Sequence, residues 1–134
     1  MIARNMEIIG HPPDLAGLLC EAFICQSFVC KGEVVSNANV TYLRFAGEWH
    51  RLIIDCGVIF WRRQTETPQP WSIESEGFDY PHIDVGKVAG VIGQGLKDYR
   101  MTAHSGRTLI AFTFENGRSI FIENENDQST FRIA

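Results

Sequence analysis

Apolar and polar residues alternate by two along most of this 134-residue chain, in short runs rich in β-branched and aromatic side chains that are cut by Gly, Asn and Asp. A period of two sends successive side chains to opposite faces of a strand, so the pattern predicts an all-β domain or nearly so. The clearest element spans 109–122, where Phe112, Phe114, Ile120 and Ile122 flank Glu115-Asn116-Gly117. A two-residue Asn-Gly turn would divide these apolar residues between the two faces. A three-residue loop over 115–117 instead pairs Phe112 with Ile120 and Ile110 with Ile122 on one face, and it needs Gly117 in the left-handed conformation that a side chain penalises.

A second hairpin is predicted over 40–54, with Gly47-Glu48 as a glycine-first turn. That register sets Leu43 opposite Leu52, Thr41 opposite Ile54 and Phe45 opposite His50 on the core face. Tyr42, Arg44, Trp49, Arg51 and Ile53 fall on the outer face. The stretch 13–19 reads equally as a short helix or turn opened by Pro-Pro-Asp or as strand.

The two hairpins sit in matching surroundings. Leu15-Ala16-Gly17-Leu18-Leu19 answers Val88-Ala89-Gly90-Val91-Ile92, Leu43-x-Phe45-x-Gly47 answers Phe112-x-Phe114-x-x-Gly117, and Phe60-Trp61-Arg62 answers Thr130-Phe131-Arg132. These matches suggest two similar β units in tandem, 15–62 and 88–133. Between them, 64–86 carries five acids (Glu66, Glu74, Glu76, Asp79, Asp84) and no Lys or Arg. Its Trp71, Phe78, Tyr80 and Ile83 are apolar anchors that should hold this long connection to the surface. The expected architecture is a single domain, 1–134, folded as a β-sandwich or half-open barrel.

Composition narrows the partners. With 45% hydrophobic and 21% charged residues, the chain has the apolar content to fold unaided. A net charge of −4 with no run of more than two basic residues gives no footprint for a phosphate backbone, so no nucleic acid is expected. No stretch reaches the length of a membrane span and the N-terminal segment lacks the apolar core of a signal peptide, which predicts a cytoplasmic protein with no membrane partner. Cys20, Cys25, Cys30 and Cys56 are then expected as free thiols without metal.

No catalytic motif emerges. The glycines of 86–95 lack the spacing of dinucleotide or Walker loops, so no cofactor is expected. His50 near Asp55, His82 near Asp84 and His104 beside Ser105 have neither a nucleophile elbow nor a zinc-binding helix around them, so no catalytic or metal residue is assigned. The outer face of the 40–54 hairpin is more informative, because its predicted register sets Arg44 directly opposite Arg51. Like charges opposed across strands destabilise a sheet. Either the acids of 64–86 fold back to neutralise the pair, or the face is an aromatic-basic patch for an acidic partner. The candidate binding residues are Tyr42, Arg44, Trp49 and Arg51, with Trp71 of the connection.

The C-terminal pattern Leu109-x-x-Phe112-x-Phe114-x-Asn116-Gly117-x-x-Ile120-x-Ile122, then Ser129-Thr130-Phe131-x-Ile133, resembles the ends of small bacterial β domains, and Ala89-Gly90 resembles the opening of their final half. Some of those domains are immunity-type proteins that neutralise polymorphic toxins by binding them. The resemblance implies a non-catalytic bacterial protein-binding module with a toxin-like partner, beside the acidic partner that the basic patch suggests, and it carries over no functional residue. The alternative expectation is a small-molecule binder or enzyme with a pocket between the two β units, using His50, His82 or a cysteine.

Overall fold

Two-residue turns with positive φ at both positions organise the chain: Lys31-Gly32, Ala46-Gly47, Cys56-Gly57, Ser105-Gly106 and Asn126-Asp127. Such turns match the twist of antiparallel strands and force the chain straight back on itself. The structure, a computed structural model, describes residues 6–134. Its strands are β1 (Glu7–Ile9), β2 (Cys20–Cys30), β3 (Glu33–Phe45), β4 (Glu48–Asp55) and β5 (Val58–Gln64). Three short strands follow, β6 (Trp71–Ile73), β7 (Phe78–Tyr80) and β8 (His82–Ile83), then the helix α1 (Val85–Ala89). The chain ends with β9 (Leu96–His104), β10 (Arg107–Phe114), β11 (Ser119–Glu125) and β12 (Gln128–Ile133).

An eight-stranded sheet runs β1-β5-β4-β3-β2-β7-β6, with β8 also on β2, and a four-stranded sheet runs β12-β11-β10-β9. The two form an all-β sandwich. Its interior is a continuous core in which Phe23, Leu43, Phe45, Leu52 and Trp61 meet Leu96, Ile110, Phe112, Phe114 and Ile120. Phe23 and Phe112 bridge the sheets edge to face, with centroids 5.1 Å apart. Each buried aromatic of this kind stabilises the fold by about 1.5–3 kcal/mol. The Trp61 indole N–H, enclosed by the same packing, donates to Met101 Sδ at 3.4 Å.

The 109–122 hairpin has the predicted register, Phe112 opposite Ile120 and Ile110 opposite Ile122. Gly117 has φ +87°. Its loop also caps α1, since Asn116 Nδ2 donates to Gly90 O and Arg118 Nε to Ala89 O, each at 3.1 Å. The 40–54 hairpin differs from expectation. Its turn is Ala46-Gly47, so Tyr42 faces Arg51, Leu43 faces His50, Arg44 faces Trp49 and Phe45 faces Glu48. The predicted pairs Leu43–Leu52, Thr41–Ile54 and Phe45–His50 are each displaced by two residues, which leaves every side chain on its predicted face. The twist preference of the turn overrides the cost of a left-handed alanine.

The sheets contain two four-stranded meanders of the same order, β2-β3-β4-β5 and β9-β10-β11-β12. Where they join, backbone bonds are exchanged reciprocally. Gly17 N–H donates to Leu96 O and Gly93 N–H to Cys20 O, both at 2.8 Å; Leu96 N–H donates to Leu18 O and Cys20 N–H to Gln94 O, both at 2.9 Å. Leu19 and Gly95 face each other in an antiparallel bridge. The segment 13–19 is neither helix nor strand over most of its length; Leu15 O accepts from Leu18 N–H across a turn, as Val91 O does from Gln94 N–H. Gly17 therefore corresponds to Gly93 and not to Gly90, which ends α1 in a left-handed C-cap.

Candidate binding face

Strands β3, β4 and β5 lie side by side, and their pairing places the outer side chains in rows. One row is Arg44, Trp49 and Gln64; the next is Tyr42, Arg51 and Arg62; Ile53 and Phe60 follow, with Ile9 of β1 beside Phe60. Tyr42, Arg44, Trp49 and Arg51 thus share the outer face. Arg44 and Arg51 are not opposed, however, and their surroundings differ. Arg44 Nε lies 3.4 Å from Glu21 Oε1 and its guanidinium carbon 6.0 Å from the Trp49 ring centre, while Trp49 is itself buried.

The opposed pair of like charges is Arg51 and Arg62, across β4 and β5. Among the described residues neither arginine is in a salt bridge. Arg51 Nε is sealed from solvent and has no hydrogen-bond acceptor among the described residues. The two arginines, Ile53, Asp55 and Phe60 line an open cleft of about 240 Å³. Burial pushes the Tyr42 phenol above its ordinary pKa, and the Arg51 charge partly offsets that rise. Next to Tyr42, the His82 ring lies 6.0 Å away and is fixed by a 3.1 Å hydrogen bond between Nε2 and Gln26 Oε1. Strand β8 borders the face beyond β2, as β1 borders it beyond β5.

Trp71 is elsewhere. It lies on β6 at the far edge of the sheet, half exposed, stacked on Tyr80 with centroids 4.0 Å apart. The connection does lie on the protein, as further strands on the edge of β2, but Glu74, Glu76, Asp79 and Asp84 form no salt bridge with either Arg44 or Arg51. Asp84 instead accepts the Lys87 backbone N–H at 3.1 Å and caps α1. Glu21, on β2, was not anticipated as the neutralising acid. Arg62 and Phe60 were also missed, because only the third strand of the meander brings them beside Arg51.

Apart from one surface cluster, the nucleophilic and metal-binding residue types are dispersed among the described residues. All four cysteines are free. Burial pushes the Cys20 and Cys25 thiols up to about 12, and the exposed Cys56 is raised by Asp127 first and then by Asp55, so these three are poor thiolates. Asp55, Cys56 and Asp127 cluster on the surface where two turns meet, and the Cys56 backbone N–H donates to Asp127 Oδ1 at 3.0 Å. His50 is buried and its pKa is lowered, chiefly by desolvation and then by Arg63, against an opposing effect of Glu48. It lines a cleft of about 500 Å³ under the loop 10–14, away from His82, and the space between the two sheets is filled by the core. No helix among the described residues is long and apolar enough to cross a membrane. Compared with protein-family models, curated proteins and solved structures, the chain matches none.

Proposed function

We propose that this chain is a non-catalytic protein-binding module that docks an acidic segment of a partner on the outer face of β3, β4 and β5. The observation that carries this reading is the Arg51–Arg62 pair, opposed in register and without an acid of its own chain in a salt bridge. Two guanidinium groups cannot lose their charge in any ordinary pH range, so an anion of a partner placed beside them would relieve the repulsion. Aromatic and arginine side chains are also the groups that most often carry interface energy, and Tyr42, Phe60 and Arg62 adjoin Arg51 here. Arg44, already held by Glu21, belongs to the rim.

The immunity-type reading places the module in a bacterial cytoplasm, bound to a toxin-like protein. The matching strand orders and the reciprocal joint support reading the chain as an internal duplication in which only the first unit bears the arginine face. Titration with a short poly-glutamate peptide, followed by calorimetry at low and high salt, tests the docking face. Binding should weaken steeply with salt and be lost in Arg51→Glu and Arg62→Glu, mainly through slower association, while Arg100→Glu on the other sheet leaves most of it. Equal binding of poly-lysine, or binding indifferent to Arg51→Glu and Arg62→Glu, would sink the proposal.

A further inference from the structure

The acidic connection builds a surface that the arginine face does not use. Strands β6, β7 and β2 are neighbours in the large sheet, and their pairing sets Trp71 opposite Tyr80, Ile73 opposite Phe78 and Phe78 opposite Cys30. The aromatic rings form a pile. Tyr80 stacks on Phe28 with centroids 5.3 Å apart, Trp71 stacks on Tyr80 at 4.0 Å and 12°, and Phe78 meets Phe28 edge to face. Strand β6 is last in the sheet order, so Trp71 ends the pile; it is 48% exposed, and Ile73 beside it 36%. Tyr80 covers one face of the indole and fixes its plane. The open face is therefore presented without the entropy cost of ordering a free side chain.

We infer that this aromatic shelf is a second docking surface, for an arginine-bearing basic segment of a partner protein, with a guanidinium laid on the open face of Trp71. The face of an indole attracts cations, and a planar guanidinium stacks on it as an ammonium cannot. Charge at the shelf has the matching sign. Glu74 and Glu76 lie in the turn that joins β6 to β7, and Glu33 pairs with Cys30 in the row of Phe78. All three are exposed, and none is in a salt bridge among the described residues. Lys31, the cation of the adjoining β2–β3 turn, lies with its stem against Gly77 and is outnumbered by these carboxylates. The same acids disfavour other occupants. A second copy laid shelf to shelf would bring acid against acid, and a polyanion would be repelled.

Hexa-arginine is the probe, and the unmodified full chain is the first sample. In a nitrogen-edited NMR titration the Trp71 indole N–H should move saturably, whereas those of the buried Trp49 and Trp61 stay still. Hexa-lysine, with the same charge, should bind roughly tenfold more weakly, and hexa-glutamate should leave the Trp71 signal unmoved. Trp71→Ala should weaken hexa-arginine binding by about tenfold. Trp71→Tyr keeps a smaller ring on the pile and should fall between the two, a ranking that loss of the fold would not produce. Glu74→Gln with Glu76→Gln should weaken binding and flatten its salt dependence. A still Trp71 signal, equal binding of hexa-lysine, or indifference to Trp71→Ala would each overturn the inference, the last by showing attraction to net charge alone. Arg51→Glu and Arg62→Glu should not weaken hexa-arginine binding, so failure of the arginine face and failure of this shelf are told apart.

Discussion

Arg51 joins two demands that oppose each other. Its side chain is half-buried, yet Nε has no acceptor among the described residues and Arg62 faces it from the next strand. Both features cost stability in the free protein. Methionine has a similar length and no charge, so Arg51→Met should stabilise the free domain by about 1 kcal/mol, the scale of an unsatisfied buried donor. The same substitution should abolish poly-glutamate binding. Chemical denaturation checks the first expectation and calorimetry the second; a destabilised Arg51→Met would show that the arginine is structural. A conflict of this kind between stability and binding is common where a surface serves a partner.

Among the elements, the hairpin 40–54 shows what a pattern of apolar residues can and cannot specify. A slip of one residue turns every side chain to the other face, which the alternation forbids. A slip of two keeps the faces and changes only the partners. Thr41, Leu43 and Phe45 face the core, and Tyr42 and Arg44 the outside, in either register. The turn decides between them, and here Ala46 adopts φ +51° ahead of Gly47 at +76°. Asparagine tolerates that conformation better than alanine, so Ala46→Asn should raise stability by about 0.5–1 kcal/mol. Gly117→Val should lower it by about 1–2 kcal/mol, since Gly117 shares the left-handed conformation and valine is branched. Urea unfolding midpoints measure both, and a stability loss on Ala46→Asn would contradict the type I′ assignment. In the 109–122 hairpin, loop length and apolar spacing agree on one answer, which is why its register was readable. Helix α1 was not readable, because five residues are too few to display a helical period; its signals were its caps, Asp84 and Gly90.

At the scale of the molecule, the strand content and the core follow from alternation, whereas the division into sheets of eight and four strands does not. The joint between the meanders consists of backbone hydrogen bonds, which any residue other than proline can supply and which therefore leave no trace in a residue pattern. Its reciprocity has a consequence for assembly. Each meander offers the other the bonding pattern that it receives, and the partner meander need not come from the same chain. The connection over 65–83 alone decides which copy completes the joint. Shortened hinges favour exchange of identical elements between copies. Deleting 67–80, which removes β6 and β7, should therefore convert the protein into an interlocked dimer in which each β9–β12 unit sits on the other copy's β2–β5 unit. Sedimentation should report the doubled mass and circular dichroism an otherwise similar β spectrum. A folded monomer after the deletion would mean that the short path can still be spanned within one chain.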